Sequence, residues 1–325
     1  MDKYVIFYGD KKLEDNICII NMFENTKQIN LGWTDFDLVN NVKIAEEYIK
    51  KGTNQIIFLG LEIGWDKLIK KIKEKNPNIK IKVICNTQDS LLYYDYEREN
   101  FFTLLELSKE KIIDDIAFLR KGQYEIYRLL GYECSYLVEN YILKKENKEE
   151  VKKENKIIDI GMYPLNYTWD KNIFNQLCIA KYIENSNLNY NQLEERMKDF
   201  VNTMEIENKE DKINKIEEKE IIQKVIKNNI NIACAFTDYL HPVFFISMEQ
   251  GIPCIIGNTT EIFEDEIGKE LKQYIITEAE DNSIENSKIV EKCLKNKEKV
   301  MDLYTKWKIQ HNEKSKQSIE NFINK

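Results

Sequence analysis

One pattern constrains this chain more than any other: short apolar runs of strand length alternate with amphipathic stretches of helix length, and the series occurs twice. In the first series YVIFY (Tyr4–Tyr8), ICII (Ile17–Ile20), QIIFL (Gln55–Leu59), IKVIC (Ile81–Cys85), IIDDIAF (Ile112–Phe118) and SYLV (Ser135–Val138) read as strands. Between them Val39–Lys50, Gly64–Lys75, a stretch around Glu97–Leu107 and another near Tyr124–Leu130 carry apolar residues at helical spacing. Val42, Ala45, Tyr48 and Ile49 share one face, and Pro77 stops the second helix. Strands separated by helices of about 10–15 residues predict βαβ units and a parallel sheet covered on both faces.

The alternation breaks at KKENKEEVKKEN (Lys144–Asn155), where charge is nearly balanced and one residue is apolar, a linker or solvated helix. It restarts with IIDIG (Ile157–Gly161), helices over Lys171–Tyr182 and Ile216–Lys227, and NIACAF (Asn231–Phe236). A helix over Pro242–Gln250, PCIIG (Pro253–Gly257), a helix over Glu261–Leu271, YIIT (Tyr274–Thr277) and a closing helical region from Ile284 complete it. Glu205–Glu220 is charge-dense and reads as an exposed helix or loop. The prediction is an α/β protein of two domains with a hinge near 144–156, and 325 residues suffice for both.

Composition narrows the role. Against 48 Lys and Arg stand 56 Asp and Glu, a net charge of −8, which disfavours a nucleic-acid partner because that needs a basic stripe. No apolar run is long enough to span a bilayer, and the opening MDKYVIFYGD lacks the basic start and cleavage site of a signal peptide, so the expected location is cytoplasmic. Cys18, Cys85, Cys134, Cys178, Cys234, Cys254 and Cys293 are scattered, mostly within apolar runs, and read as buried free thiols. With only His241 and His311 present and no ligand spacing, no metal site is expected.

Parallel sheets bind ligands beyond the carboxyl ends of their strands. In the first domain those positions are Gly9, Asp10, Asn86, Thr87, Gln88 and Asp89, without a GxGxxG or P-loop motif. In the second domain TDYLHPVFFISMEQGIPCIIGN (Thr237–Asn258) gives a strand end, a helix, Gly251 as its C-cap and Pro253 opening the next strand. Helix N-termini near Pro242 and after Gly257 would present free N–H groups to a phosphate; plain helix-to-strand punctuation reads the same residues equally.

The stretch SMEQGIPCIIG (Ser247–Gly257), with TDYLHPVFFIS before it, resembles the C-terminal domain of family-4-like, nucleotide-sugar-dependent glycosyltransferases of the GT-B fold. GMYPLNYTWDKNIFNQLCIA (Gly161–Ala180) is similar to the first strand and helix of that domain; Trp169, Lys171, Asn172 and Gln176 match a W-x-K-N-x-x-x-Q form seen in some bacterial members. The first half (KVICNTQDSLL and residues 121–137) resembles the acceptor domain less distinctively. The resemblance implies two Rossmann-like domains facing a cleft: 1–150 on the acceptor side, 156–300 on the nucleotide-sugar side, and 301–325 as a helix crossing back to the first. It implies a nucleoside-diphosphate sugar as donor, UDP ahead of GDP, and a protein, glycan or lipid-linked saccharide as acceptor. It calls for no metal or other cofactor, and leaves room for a partner glycosyltransferase or a homo-oligomer.

Carried over residue by residue, Lys171 meets the donor pyrophosphate, with Asp238 and His241 beside it as catalytic candidates. Tyr163, Asn172, Thr237, Glu249, Asn258, Thr259 and Thr260 form the donor-binding set. The match has gaps. In the family's Glu-x7-Glu the ribose carboxylate falls on Ile246, the first carboxylate on Asp238 is shortened, and Met162 and Tyr163 stand where an arginine is usual. Glu249 lies three residues along the helix from Ile246 and replaces the missing carboxylate only with a shifted register. Neither histidine lies in the first half, where inverting members carry a base; Asp10 or Asp89 could stand in for that base, but the plainer expectation is a retaining course. The alternatives are a non-catalytic subunit of an active partner and an unrelated protein binding a phosphorylated metabolite.

Overall fold

Runs of Ile, Val and Phe become the central strands of two separate parallel sheets, because strands buried on both faces need apolar side chains at every position. The computed structural model describes residues 3–9, 19, 22–23, 26–32, 37–140, 157–164, 168–191, 194–210, 218–236, 242–277 and 279–325. Contacts group the chain into two units, residues 1–140 with 314–325, and residues 141–313.

The first unit runs β1 (Tyr4–Gly9), β2 (Gln28–Leu31), α1 (Leu38–Lys50), β3 (Gln55–Leu59), α2 (Trp65–Lys75), β4 (Lys80–Cys85), α3 (Asp95–Lys109), β5 (Asp115–Phe118), α4 (Lys121–Leu129) and β6 (Cys134–Tyr136). Its sheet order is β2-β1-β3-β4-β5-β6, every pair parallel. Phe7, Phe58 and Val83 pack against Trp65, Leu68 and Ile72 of α2 and Phe101 of α3. Phe7 to Phe58 and Phe58 to Trp65 are edge-on ring pairs at 5.6 and 5.4 Å. The strand expected at Ile17–Ile20 lies outside the described residues except for Ile19, which is buried and helical. The strand beside β1 is Gln28–Leu31, with one buried side chain and so no apolar run to read. Of IIDDIAF, only Asp115–Phe118 is strand.

The second unit runs β7 (Ile158–Met162), α5 (Ile173–Lys181), β8 (Ser186–Tyr190), α6 (Glu195–Thr203), β9 (Asn208–Glu210), α7 (Glu218–Val225), β10 (Ile230–Ala233), α8 (Pro242–Glu249), β11 (Cys254–Ile256), α9 (Glu266–Ile275), α10 (Ser283–Lys295) and α11 (Lys297–Asn324). The order is β11-β10-β7-β8-β9, again all parallel. The expected strand at Tyr274–Thr277 is not one: Tyr274 and Ile275 end α9, and Ile276 makes only an isolated bridge to Ile256. Part of the charge-dense Glu205–Glu220 stretch pairs as β9.

The long helix α11 belongs to both units. Trp307 packs in the second against Phe263 (4.5 Å) and Phe245 (6.4 Å). Its last turn packs in the first, where Gln55 donates to the Ile323 carbonyl at 3.0 Å, and Lys82 donates to the Phe322 and Ile323 carbonyls. The segment read from sequence as returning, 301–325, therefore divides: residues up to 313 stay with the second unit. Among the described residues no helix is long and apolar enough to cross a membrane, and no three His, Cys, Asp or Glu side chains gather as a metal site.

Candidate functional site

In the second unit the carboxyl ends of β7, β10 and β11 gather several of the expected residues. A single helical turn, Trp169–Lys171, precedes α5, and Asn172 links them with a left-handed backbone (φ 54°). Asparagine tolerates that conformation better than any residue but glycine. Its side chain then holds the site together: Nδ2 donates to the Cys234 carbonyl (3.0 Å) and the Glu280 carbonyl (2.8 Å). That amide is spent on backbone, so Asn172 shapes the site rather than offering a free donor to a ligand.

Lys171 lines a small pocket with Pro164, Gln176, Ile232, Ala233 and Ala235. Its Nζ lies 3.4 Å from Asp170 Oδ2. The Gln176 amide donates to the Lys171 carbonyl at 2.6 Å, while Gln176 Oε1 is buried without a partner among the described residues. The pocket is about 10 Å³, room for a single water, so what it offers is a lysine held in place by Asp170 at the strand ends rather than a formed ligand cavity. Trp169 is exposed beside it, its ring 6.2 Å from Phe236.

The loop after β11 differs from its expected form. The helix expected from about Thr260 begins at Glu266, and its N-terminal turn is already capped, since the Asp265 carboxylate accepts from Gly268 N at 2.8 Å. The free N–H cradle predicted directly after Gly257 is therefore absent from that helix. Instead Asn258 N donates to Glu280 Oε1 at 2.6 Å. Gly257 is required because a Cβ there would overlap the Ala235 carbonyl. Asn258 is exposed, Thr259 partly so, and Thr260 is buried with its hydroxyl accepting from Ile262 N at 3.4 Å. Glu280 is a residue that sequence reasoning missed.

Two expected donor contacts are committed elsewhere. Tyr163 is buried, its hydroxyl accepting from Asn228 Nδ2 at 3.2 Å. Glu249 accepts from the Tyr304 hydroxyl (2.8 Å) and from Lys308 Nζ (2.7 and 2.8 Å to its two oxygens), so it anchors α11. Burial, then the Glu249 charge, push the Tyr304 phenol well above its usual range and keep it a donor. Ile246 is fully buried in α8. Thr237, Asp238 and His241 lie outside the described residues, as does Asp10.

In the first unit Gly9, Asn86 and Asp89 stand at the carboxyl ends of β1 and β4. Asp89 Oδ1 accepts from Gln123 Nε2 at 2.9 Å, Asn86 lies against Gly60, and Gly9 lies against Glu62, a second residue missed from sequence.

No protein-family model and no curated protein matches the chain. Solved structures do. An α,α-trehalose-phosphate synthase (UDP-forming) from Burkholderia xenovorans, in complex with glucose-6-phosphate, is similar over 99% of each chain at 7% identity, TM-score 0.64. A sucrose-phosphate synthase from Thermosynechococcus elongatus is similar over 98% of this chain and 94% of its own, at 8% identity and TM-score 0.63. A lipopolysaccharide outer core galactosyltransferase is similar over 98% and 99%, at 9% identity and TM-score 0.61. Likeness along the whole chain at such identity establishes architecture: the chain has the GT-B fold, with two Rossmann-like α/β units.

Proposed function

We propose that this chain is a glycosyltransferase moving a sugar from a nucleoside diphosphate to a saccharide-type acceptor. The observation that carries the reading is the place of Lys171, in the turn before α5 at the strand ends of the second unit, in a chain that shares its fold end to end with three glycosyltransferases. As the bond between the anomeric carbon and the diphosphate oxygen breaks, negative charge collects on the departing diphosphate. A cation fixed beforehand at that place stabilises the charge most when it is largest. UDP is the favoured nucleotide, in line with the UDP-forming relative in fold. A metal-free reaction, a retaining course, a cytoplasmic location and a protein, glycan or lipid-linked acceptor complete the reading.

A second reading has its own support. The ribose-carboxylate position is a buried isoleucine, Ile246, and the nearest carboxylate, Glu249, is held by Tyr304 and Lys308. A non-catalytic subunit of an active partner glycosyltransferase would look like this. Thermal shift with UDP, GDP, their sugar conjugates and free phosphate separates the two. A ligand at 100 times its dissociation constant adds about 2.7 kcal/mol of stability. The transferase reading expects a shift with one nucleotide sugar together with its slow hydrolysis. No shift with any of them gives the partner-subunit reading precedence. Binding gained in Ile246→Glu would mark a degenerate site.

A further inference from the structure

Glu62, three residues past the end of β3, is 2% exposed. Its Oε2 accepts from the Tyr96 hydroxyl at 2.7 Å. Its other oxygen, Oε1, is buried and has no hydrogen-bond partner among the described residues. Burial and then the Glu62 contact raise the Tyr96 phenol far above its usual range, so Tyr96 stays protonated and fixes one edge of the carboxylate. A buried carboxylate oxygen lacking a donor is costly, and native proteins seldom leave one without a purpose.

Its position suggests that purpose. Glu62 lies against Gly9 at the carboxyl end of β1, where a Cβ would stand 2.8 Å from Glu62 Cγ and 3.1 Å from Oε1. The missing side chain at Gly9 thus makes room for the carboxylate. The next residue, Ile63, is 47% exposed, and Glu62 follows β3 at the carboxyl edge of the sheet, where α/β units take ligands. Two neighbouring carboxylates at this edge are engaged: Asp89 by Gln123 and Glu97 by the Thr87 hydroxyl. Among the described residues Glu62 Oε1 is an open acceptor, with no donor and no cation paired with it. An anionic acceptor without a cation repels phosphate and takes a neutral O–H donor.

We propose that Glu62 binds the sugar acceptor, receiving one of its hydroxyls on Oε1, with Tyr96 holding the carboxylate and Gly9 leaving it space. The identity of the ligand rests on the glycosyl-transfer reading above. Glutamine at this position has one acceptor and one donor edge, so Glu62→Gln cannot serve both Tyr96 and a sugar hydroxyl as acceptor. Glu62→Asp keeps the carboxylate one methylene shorter.

The test is thermal shift of the wild type and both variants with three probes at high millimolar concentration, glucose, galactose and N-acetylglucosamine, and separately with UDP. The expected result is a rise of a few degrees in the wild type with at least one sugar. That rise is lost in Glu62→Gln and partly kept in Glu62→Asp, while the UDP shift is equal in all three. A purely structural Glu62 would lower every melting temperature without changing the sugar-dependent increment, and that result overturns the proposal. So does the lack of any sugar shift in the wild type. If Glu62→Gln does not fold, Gly9→Ala, which crowds the carboxylate and leaves Tyr96 in place, must lose the increment. An absent UDP shift in every protein would strike the glycosyl-transfer reading alone, because the sugar arm decides Glu62 without it.

Discussion

Asn172 does two jobs that no other residue type combines: it accepts a left-handed backbone, and its amide bridges the Cys234 and Glu280 carbonyls. Replacing it separates them. Asn172→Gly loses these two hydrogen bonds and the one its Oδ1 accepts from Asn175 Nδ2, about 1 kcal/mol each. Asn172→Ala loses them and also carries the left-handed penalty of about 1–2 kcal/mol. Chemical denaturation should therefore rank alanine below glycine by about 1 kcal/mol, and equal midpoints would contradict the account. The cysteines give a second prediction. Burial pushes the Cys293 thiol up to about 12 and raises Cys234 and Cys254 well above their usual value near 9. An acid raised in the folded state contributes stability below its unfolded pKa, and loses it as pH climbs through the folded one. The melting temperature should fall progressively above pH 9, and these thiols should resist a thiol reagent until the chain unfolds. Lys171 was legible because a tryptophan, an asparagine and a glutamine surround it in a spaced pattern. Glu62 and Glu280 were not, since a lone acid in a loop leaves no period or motif.

Among elements, the legible ones are those buried on both faces. β1, β3, β4, β7 and β10 appear as apolar runs because the sheet interior demands it. β2, β8 and β9 do not; QINL, SNLNY and NKE gain their strand character from a neighbour's backbone. The start of α9, expected at Glu261, lies at Glu266, because Asp265 supplies the cap. The SMEQGIP segment was read correctly as helix, glycine stop and strand: Gly251 takes φ 78°, and Ile252 N reaches back to the Ser247 carbonyl at 3.0 Å. What the sequence did not disclose is why Ser247 is small. Its hydroxyl closes a buried chain of amides running Asn189, Asn228, Asn231, Ser247, each link 2.7–2.8 Å. Gly161 of β7 sits against that chain, and a Cβ there would overlap Asn231 and Asn228. Gly161→Ala should cost about 1–3 kcal/mol by overpacking. A denaturation midpoint unchanged from the wild type would show that the amides move aside freely.

On the scale of the whole molecule, α11 ends in the first unit, where a buried lysine meets its last carbonyls. Burial, partly offset by Asp115, lowers Lys82 to about 8 from its usual 10.5. A base depressed in the folded state sheds its proton before the unfolded chain does, so its contribution to stability grows as pH rises from about 8 toward 10.5. The melting temperature of the wild type minus that of Lys82→Met should rise across this window, and a flat or falling difference would contradict the burial argument. The two-unit plan was legible from the doubled alternation. The proposed glycosyl transfer makes Lys171 the centre of the account, and titration calorimetry of UDP against the wild type and Lys171→Ala tests it most directly. A charge-assisted contact is worth about 1.5–3 kcal/mol, so the account predicts measurable UDP binding weakened at least tenfold by the substitution. No UDP binding to the wild type, or equal affinity for both proteins, would contradict it.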